Sequence, residues 1–269
     1  MTILRAALVI QHCPAGNFDT NLARTLAAVS RAAARKADVV VFPEMNLTGY
    51  VTGEKIGSVA CPVESRWIQK LQQESDRHNL IILTGLVEQE TESRLFATHL
   101  IIRPGLSPAY YRKLHLSPFE ARYFTPGDRV RVFEGKGVNF GIQLCYDAHF
   151  PELSTSMALK KADIIFIPHA SPRGTSDEKF TSWMRHLTAR AFDNGVFVVA
   201  VNQTGENGDG LSFPGVALAI GPDGHLVSKN TGNIETIHMV EMDMDALDRV
   251  RSHKMRYFLP NRRANLVDE

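Results

Sequence analysis

The 269-residue chain has few cysteines, almost no net charge and no long apolar run. Cys13, Cys61 and Cys145 make an odd set with no short pairing, which argues against a disulfide framework and for reduced thiols in a cytoplasmic setting. Lysine plus arginine number 30 against 29 for aspartate plus glutamate. That balance indicates neither a nucleic-acid footprint nor attraction to an anionic membrane surface. No stretch approaches the ~20 apolar residues that cross a bilayer. The opening MTILRAALVIQHC lacks a small-residue cleavage pattern and reads as a first strand rather than a signal peptide. Without a secretion signal, the acceptor patterns at Asn46 and Asn202 carry no weight. A low-complexity linker is also missing, so the expectation is one domain over residues 1–269, with a large core drawn from the 44% of hydrophobic residues. The expected partner is a small molecule or another protein.

What is present alternates between helix and strand grammar. Leu4 to Ile10 reads as a strand, Leu22, Leu26, Val29 and Ala33 as a helical stripe, and ADVVVFPE as a buried strand closed by Pro43. Val63, Trp67 and Leu71 give a second stripe before a strand from Leu80 to Val87. Further strands are expected over 95–102, 109–112, 130–133 and 138–144. STSMALKKADIIFIP, from Ser154, repeats the grammar of RAAARKADVVVFP, from Arg31, and suggests two similarly built halves. A helix capped by Ser176 should stop at Gly195, before a strand from Val196 to Val201. Gly221-Pro222-Asp223-Gly224 signals a hairpin. A last strand over 235–241, a short helix near 246–252 and an extended tail from about Arg256 complete the pattern. Early helix–strand alternation followed by a late hairpin predicts an α/β fold of mixed sheets covered by helices.

The residues with chemical potential lie at strand ends. In GVNFGIQLCYDAHFPEL, Val138, Phe140, Ile142 and Leu144 share one strand face, so Cys145 points away from it at the strand's end. Pro151 suits the first turn of a following helix that starts just after Asp147 and Ala148. Such a strand-to-helix elbow exposes a nucleophile and aims backbone N–H groups at it, although a lone cysteine also serves as a small core residue. Glu44 follows the strand VVVFP, where partial desolvation would raise its pKa and suit it to general base work; a solvated loop carboxylate is the alternative. Tyr110, Tyr111 and Leu114 give Lys113 a partly buried setting in which it could stabilise an oxyanion, and Glu120 could pair with it or orient a substrate nitrogen; a surface ion pair is the plain alternative. His115, His149, His169 and His186 leave a cysteine–histidine arrangement open. No pair has metal-ligand spacing supported by a third ligand. NQTGENGDG lacks the ending of a phosphate loop and reads as a turn.

Three stretches taken together resemble the nitrilase, or carbon–nitrogen hydrolase, superfamily: FPEMNLTGY at 42–50, YRKLHLSPFE at 111–120 with FTPGD at 124–128, and CYDAHFPE at 145–152. ADIIFIPHA, ARAFDN and the GPDG hairpin extend the resemblance over most of the chain. The resemblance implies an α-β-β-α sandwich of two mixed sheets flanked by helices, which dimerises into a four-layer core. It implies Glu44 as general base, Lys113 as stabiliser of the tetrahedral intermediate, Cys145 as nucleophile and Glu120 as a second carboxylate positioning the substrate, with no cofactor. Tyr146 and Asp147 after the cysteine look like the amidase-type members, so small linear amides are the expected substrates. N-carbamoyl compounds are the nearest alternative, with a nitrilase or a protein-binding scaffold further off. Expected substrate contacts are Tyr146, His149 and Arg173. His149 stands where many amidase-like members carry arginine, and Arg173 lies in a segment, Ser171 to Thr175, expected to line the pocket.

Overall fold

A computed structural model describes residues 2–51, 53–63 and 66–263. The first half runs β1 (Ile3–Ile10), α1 (Phe18–Ala34), β2 (Val39–Val41), a short α2 (Ile56–Val59), α3 (Arg66–His78), β3 (Ile81–Thr91), β4 (Arg94–Ile102) and β5 (Ala109–Arg112). The second runs β6 (Val132–Gly135), β7 (Val138–Ile142), α4 (Pro151–Leu159), β8 (Ile164–His169), α5 (Ser176–Asn194) and β9 (Phe197–Asn202). It continues through the small ribbon of β10 (Gly205–Glu206) and β11 (Ser212–Phe213), then β12 (Ala217–Ile220), β13 (Leu226–Asn230), β14 (Thr236–Asp243) and α6 (Asp245–Arg251).

Two six-stranded sheets result, with orders β14-β1-β2-β3-β4-β5 and β13-β12-β9-β8-β7-β6. Each has three parallel strands at its centre, β1-β2-β3 or β7-β8-β9, and antiparallel strands at its edges. Such central strands are buried on both faces and therefore read as the unbroken apolar runs VVV, IIFI and FVVAV. Leu4, Ala6, Leu8 and Ile10 of β1 join the large core shared with the second sheet, while Ala7 and Val9 pack with α1 and α3. Met157, Trp183 and Leu187 bring α4 and α5 onto the second sheet. The layers are thus helix, sheet, sheet, helix.

The repeated Lys-Ala-Asp phrase is used the same way twice. Lys36 and Lys161 take left-handed φ values of 60 and 72° where α1 and α4 end. Asp38 N–H then donates to Arg5 O at 2.8 Å and Asp163 N–H to Asn139 O at 2.7 Å. The Asp38 carboxylate accepts from Arg5 N–H in return, and that of Asp163 from Asn139 N–H, at 2.8 and 2.9 Å.

Three local expectations are corrected. The chain between β7 and α4 is a 3-10 turn, Cys145–His149, and α4 opens with Pro151 rather than just after Ala148. The cap of α5 is Thr175, whose hydroxyl accepts from Glu178 N–H while Glu178 reaches back to Thr175 N–H; Ser176 is the first helical residue and is buried. The tail contains a 3-10 turn, Leu259–Asn261, because Pro260 fits an opening helical turn and Leu259 docks on the core. Residues 264–269 of that tail lie outside the described residues. No helix among the described residues is long and apolar enough to cross a membrane.

Candidate active site

The carboxyl ends of the parallel strands from both sheets meet at one place, which is where open α/β sheets leave a crevice. Glu44 follows β2, Cys145 follows β7, Ala170 follows β8 and Gln203 follows β9. Thr204 N–H donates to Gln11 O at 3.0 Å, tying the end of β9 to that of β1 across the sandwich. Lys113 enters from the end of β5, held by backbone bonds to Ala97 and Gly127. Gly127 is required there, since a Cβ would lie 2.4 Å from Arg112 O.

Lys113 Nζ stands between two carboxylates, donating to Glu44 Oε1 at 2.9 Å and to Glu120 Oε1 at 2.7 Å. All three side chains are buried. An isolated charge would be expensive at such depth, and only the pairing makes the cluster tolerable. Burial alone would lower the Lys113 pKa, but Glu44 and Glu120 hold it well above the ordinary lysine value. Burial raises Glu44, the Lys113 charge pulls it back and Glu120 pushes it up again, so that it is raised to about 7. Glu44 is fixed from every side: Oε2 accepts from Ala170 N–H at 3.0 Å, its N–H donates to His169 O, and its carbonyl accepts from Gln203 Nε2 at 2.8 Å. Glu120 Oε2 accepts from Ser117 N–H at 2.8 Å.

Cys145 opens its 3-10 turn with φ at +42°, a left-handed conformation that costs a residue with a Cβ about 1–3 kcal/mol. The surrounding bonds enforce it. Asp147, fully buried, accepts from Leu144 N–H at 2.9 Å, from Tyr111 Oη at 2.8 Å and from His115 N–H at 2.8 Å. Tyr111 and His115 flank Lys113 by two residues on either side, so one carboxylate clamps the cysteine turn to the lysine segment. Cys145 is partly exposed, yet it sits low enough that burial dominates its thiol, pushed up to about 12 with a further push from Glu44 and an opposing pull from Lys113. Its resting form is the neutral thiol, beside a carboxylate whose pKa lies near neutrality.

The structure therefore brings Glu44, Lys113, Glu120 and Cys145 into one electrostatic cluster. Tyr146 is next in the cysteine turn and packs near Phe150 and His149. A 570 Å³ cavity reaches Glu120 and has Arg173 on its wall. His149 does not line that cavity; its ring stacks on His186 at 4.6 Å, and its pKa is lowered by burial and by Arg190. His115 is bound to Asp147 and stacked on Phe150, and His169 is stacked on Trp183. Among the described residues no histidine hydrogen-bonds Cys145, so the cysteine–histidine arrangement left open by the sequence has no geometric support. Sequence reasoning passed over Asp147 as a structural clamp and Gln203 as a support for Glu44. Gln203 lay in a segment read as a turn, and its position two residues after the expected strand Val196 to Val201 was the available signal.

Comparison with known proteins identifies the family. The family model for carbon-nitrogen hydrolases matches residues 5–252. An (R)-stereoselective amidase of Pseudomonas sp. is 33% identical over 236 residues, covering 88% of this chain and 84% of that protein. A 2-oxoglutaramate amidase of Bacillus subtilis is 32% identical over 81% of this chain and 82% of its own length. An N-carbamoylputrescine amidase of Arabidopsis thaliana is 26% identical over 90% of this chain and 87% of its own. Among solved structures, an amidase from Nesterenkonia sp. superposes with a TM-score of 0.83 at 24% identity, covering 98% of this chain and 94% of that one. A carbon-nitrogen hydrolase from Helicobacter pylori G27 superposes with a TM-score of 0.86 at 22% identity, covering 99% of both chains. With that family model matched over nearly the whole length, the chain belongs to the carbon-nitrogen hydrolase family.

Proposed function

We propose that the chain is a thiol amidohydrolase that cleaves the C–N bond of a small linear amide through a thioester on Cys145. The observation that carries this reading is Lys113 Nζ held at 2.9 and 2.7 Å from Glu44 and Glu120, beside a cysteine on a strained turn. Glu44 takes the thiol proton as Cys145 Sγ attacks the amide carbon, because a thiol pushed up to about 12 is deprotonated only in step with bond formation. The oxyanion forms against Lys113 Nζ and the Tyr146 N–H; the opening N–H groups of a helical turn have no partner within the turn. Glu44 returns its proton to the departing nitrogen, the C–N bond breaks, and ammonia or an amine leaves. Water then gives a proton to Glu44 and attacks the thioester, the C–S bond breaks, and the thiol recovers the proton. The sum is amide plus water giving carboxylic acid plus ammonia or amine. Glu120 keeps Lys113 in place and orients the substrate, with Arg173 on the cavity wall.

N-carbamoyl compounds are the second reading, favoured by the carbamoylputrescine amidase among the relatives. Ammonia release from a panel of simple amides, carbamoyl amines and nitriles separates the two. Turnover of amides is expected; turnover of nitriles alone overturns the proposal. We also propose a cytoplasmic homodimer, supported by the family resemblance and by the exposed rings of Phe192 and Phe258, 5.6 Å apart on one face.

A further inference from the structure

The cavity beside Glu120 is larger and more apolar than a short amide needs. Its 570 Å³ falls within the range of about 300–1,000 Å³ that encloses drug-sized ligands. Tyr50 and Glu120 border the Lys113 cluster, and the rest of the wall is dominated by Ile56, Phe119, Tyr123, Phe124 and Leu211. Two of these rings do little for the fold: Phe119 is 76% exposed and Tyr123 38%. A phenyl ring held open to water, immediately before a carboxylate bonded to Lys113, is the kind of exposed apolar surface that marks a ligand site. Arg122 and Arg173 lie on the same wall, and neither has an ion-pair partner among the described residues. Their unopposed charge disfavours a cation at this place.

Resting on the amidase reading above, we infer that this cavity houses the acyl side of the substrate and that the preferred amides carry a bulky, uncharged apolar group there, aromatic or branched. The acyl part stays attached to Cys145 through both half-reactions, so a fixed apolar wall contributes to both only by holding that part. Phe119 and Tyr123 are then the residues that set selectivity, since their rings are exposed without the ligand and covered with it. Cationic amides and carbamoyl polyamines are rejected at the arginines.

The test compares kcat/KM for 3-phenylpropionamide, propionamide, 4-aminobutyramide and N-benzylacetamide in the unmodified protein and in Phe119→Ala and Tyr123→Ala. The phenyl amide is expected to exceed propionamide by about tenfold or more, the scale on which apolar pockets discriminate, with the aminoamide slowest. In Phe119→Ala the ratio of phenyl amide to propionamide falls about tenfold; a misfolded variant would lose both activities together and leave that ratio in place, which is why Tyr123→Ala is measured beside it. Propionamide hydrolysed as fast as the phenyl amide, bulk favoured only on the amine side, or a ratio unchanged in both variants overturns the pocket assignment and leaves the amidase reading standing. No turnover of any amide by protein with a titratable Cys145 thiol overturns the amidase reading, and the pocket assignment with it.

Discussion

Glu44 owes its poise to three opposing influences: burial that raises its pKa, Lys113 that lowers it, and Glu120 that raises it again, to about 7. It accepts a proton only when ionised, so kcat/KM is expected to fall as pH drops through about 7 and to level off above it. A pH–rate profile in a buffer series at constant ionic strength checks this, and Glu44→Gln should lose about 10²–10⁴-fold at every pH. Glu44 and Cys145 were legible at strand ends, Lys113 and Glu120 only as a possible pair seven residues apart, and only the family resemblance implied roles for the four. Burial was understated: Lys113 read as partly buried and is 1% exposed. Depth depends on which loops close over a strand end, and no local pattern encodes that.

The decisive element is the turn between β7 and α4. Its strain at Cys145 is held by Asp147, whose carboxylate accepts from the strand end, from Tyr111 and from His115 at once. Asp147→Asn keeps the size and replaces one acceptor oxygen by a donor, which faces donors already in place. We expect kcat to fall about a hundredfold through misplacement of Cys145 against Lys113, with KM for a short amide changed far less. Equal loss in both parameters, or none, contradicts the clamp. The elbow itself was readable from the alternation of Val138, Phe140, Ile142 and Leu144 and from Pro151. Its 3-10 form was not, because it arises from a carboxylate bonding to a segment more than thirty residues away in the chain. The Thr175 cap replaced the expected Ser176 for a simpler reason: both are good caps, and Glu178 lies three residues after Thr175.

At the scale of the molecule, two halves with matching sheets bring their strand ends to one site. The shared Lys-Ala-Asp phrase made the duplication visible before the sheets were known, and it marks the same helix stop and strand entry in both. Packing at this scale also buries histidines without charge. Burial lowers His169 well below 6.5, His99 to about 3 and His186 to about 4. An unfolded chain protonates these rings near 6.5 and the folded chain does not, so stability is unaffected by them above that pH and is lost as pH falls from about 6.5 toward 4. Urea midpoints measured between pH 7.5 and 5 should decline on the acid side; a flat profile would show that the rings are solvated.

Everything turns on a covalent bond between Cys145 and the acyl part of an amide. Mixing the unmodified protein with a hydrolysable amide, quenching in acid within the first turnovers and weighing the intact chain tests it directly. A mass increase equal to the acyl group less the thiol hydrogen is expected, located by peptide mapping at Cys145 and lost in Cys145→Ala. An unmodified Cys145 during turnover, together with amide hydrolysis that survives Cys145→Ala, would contradict it.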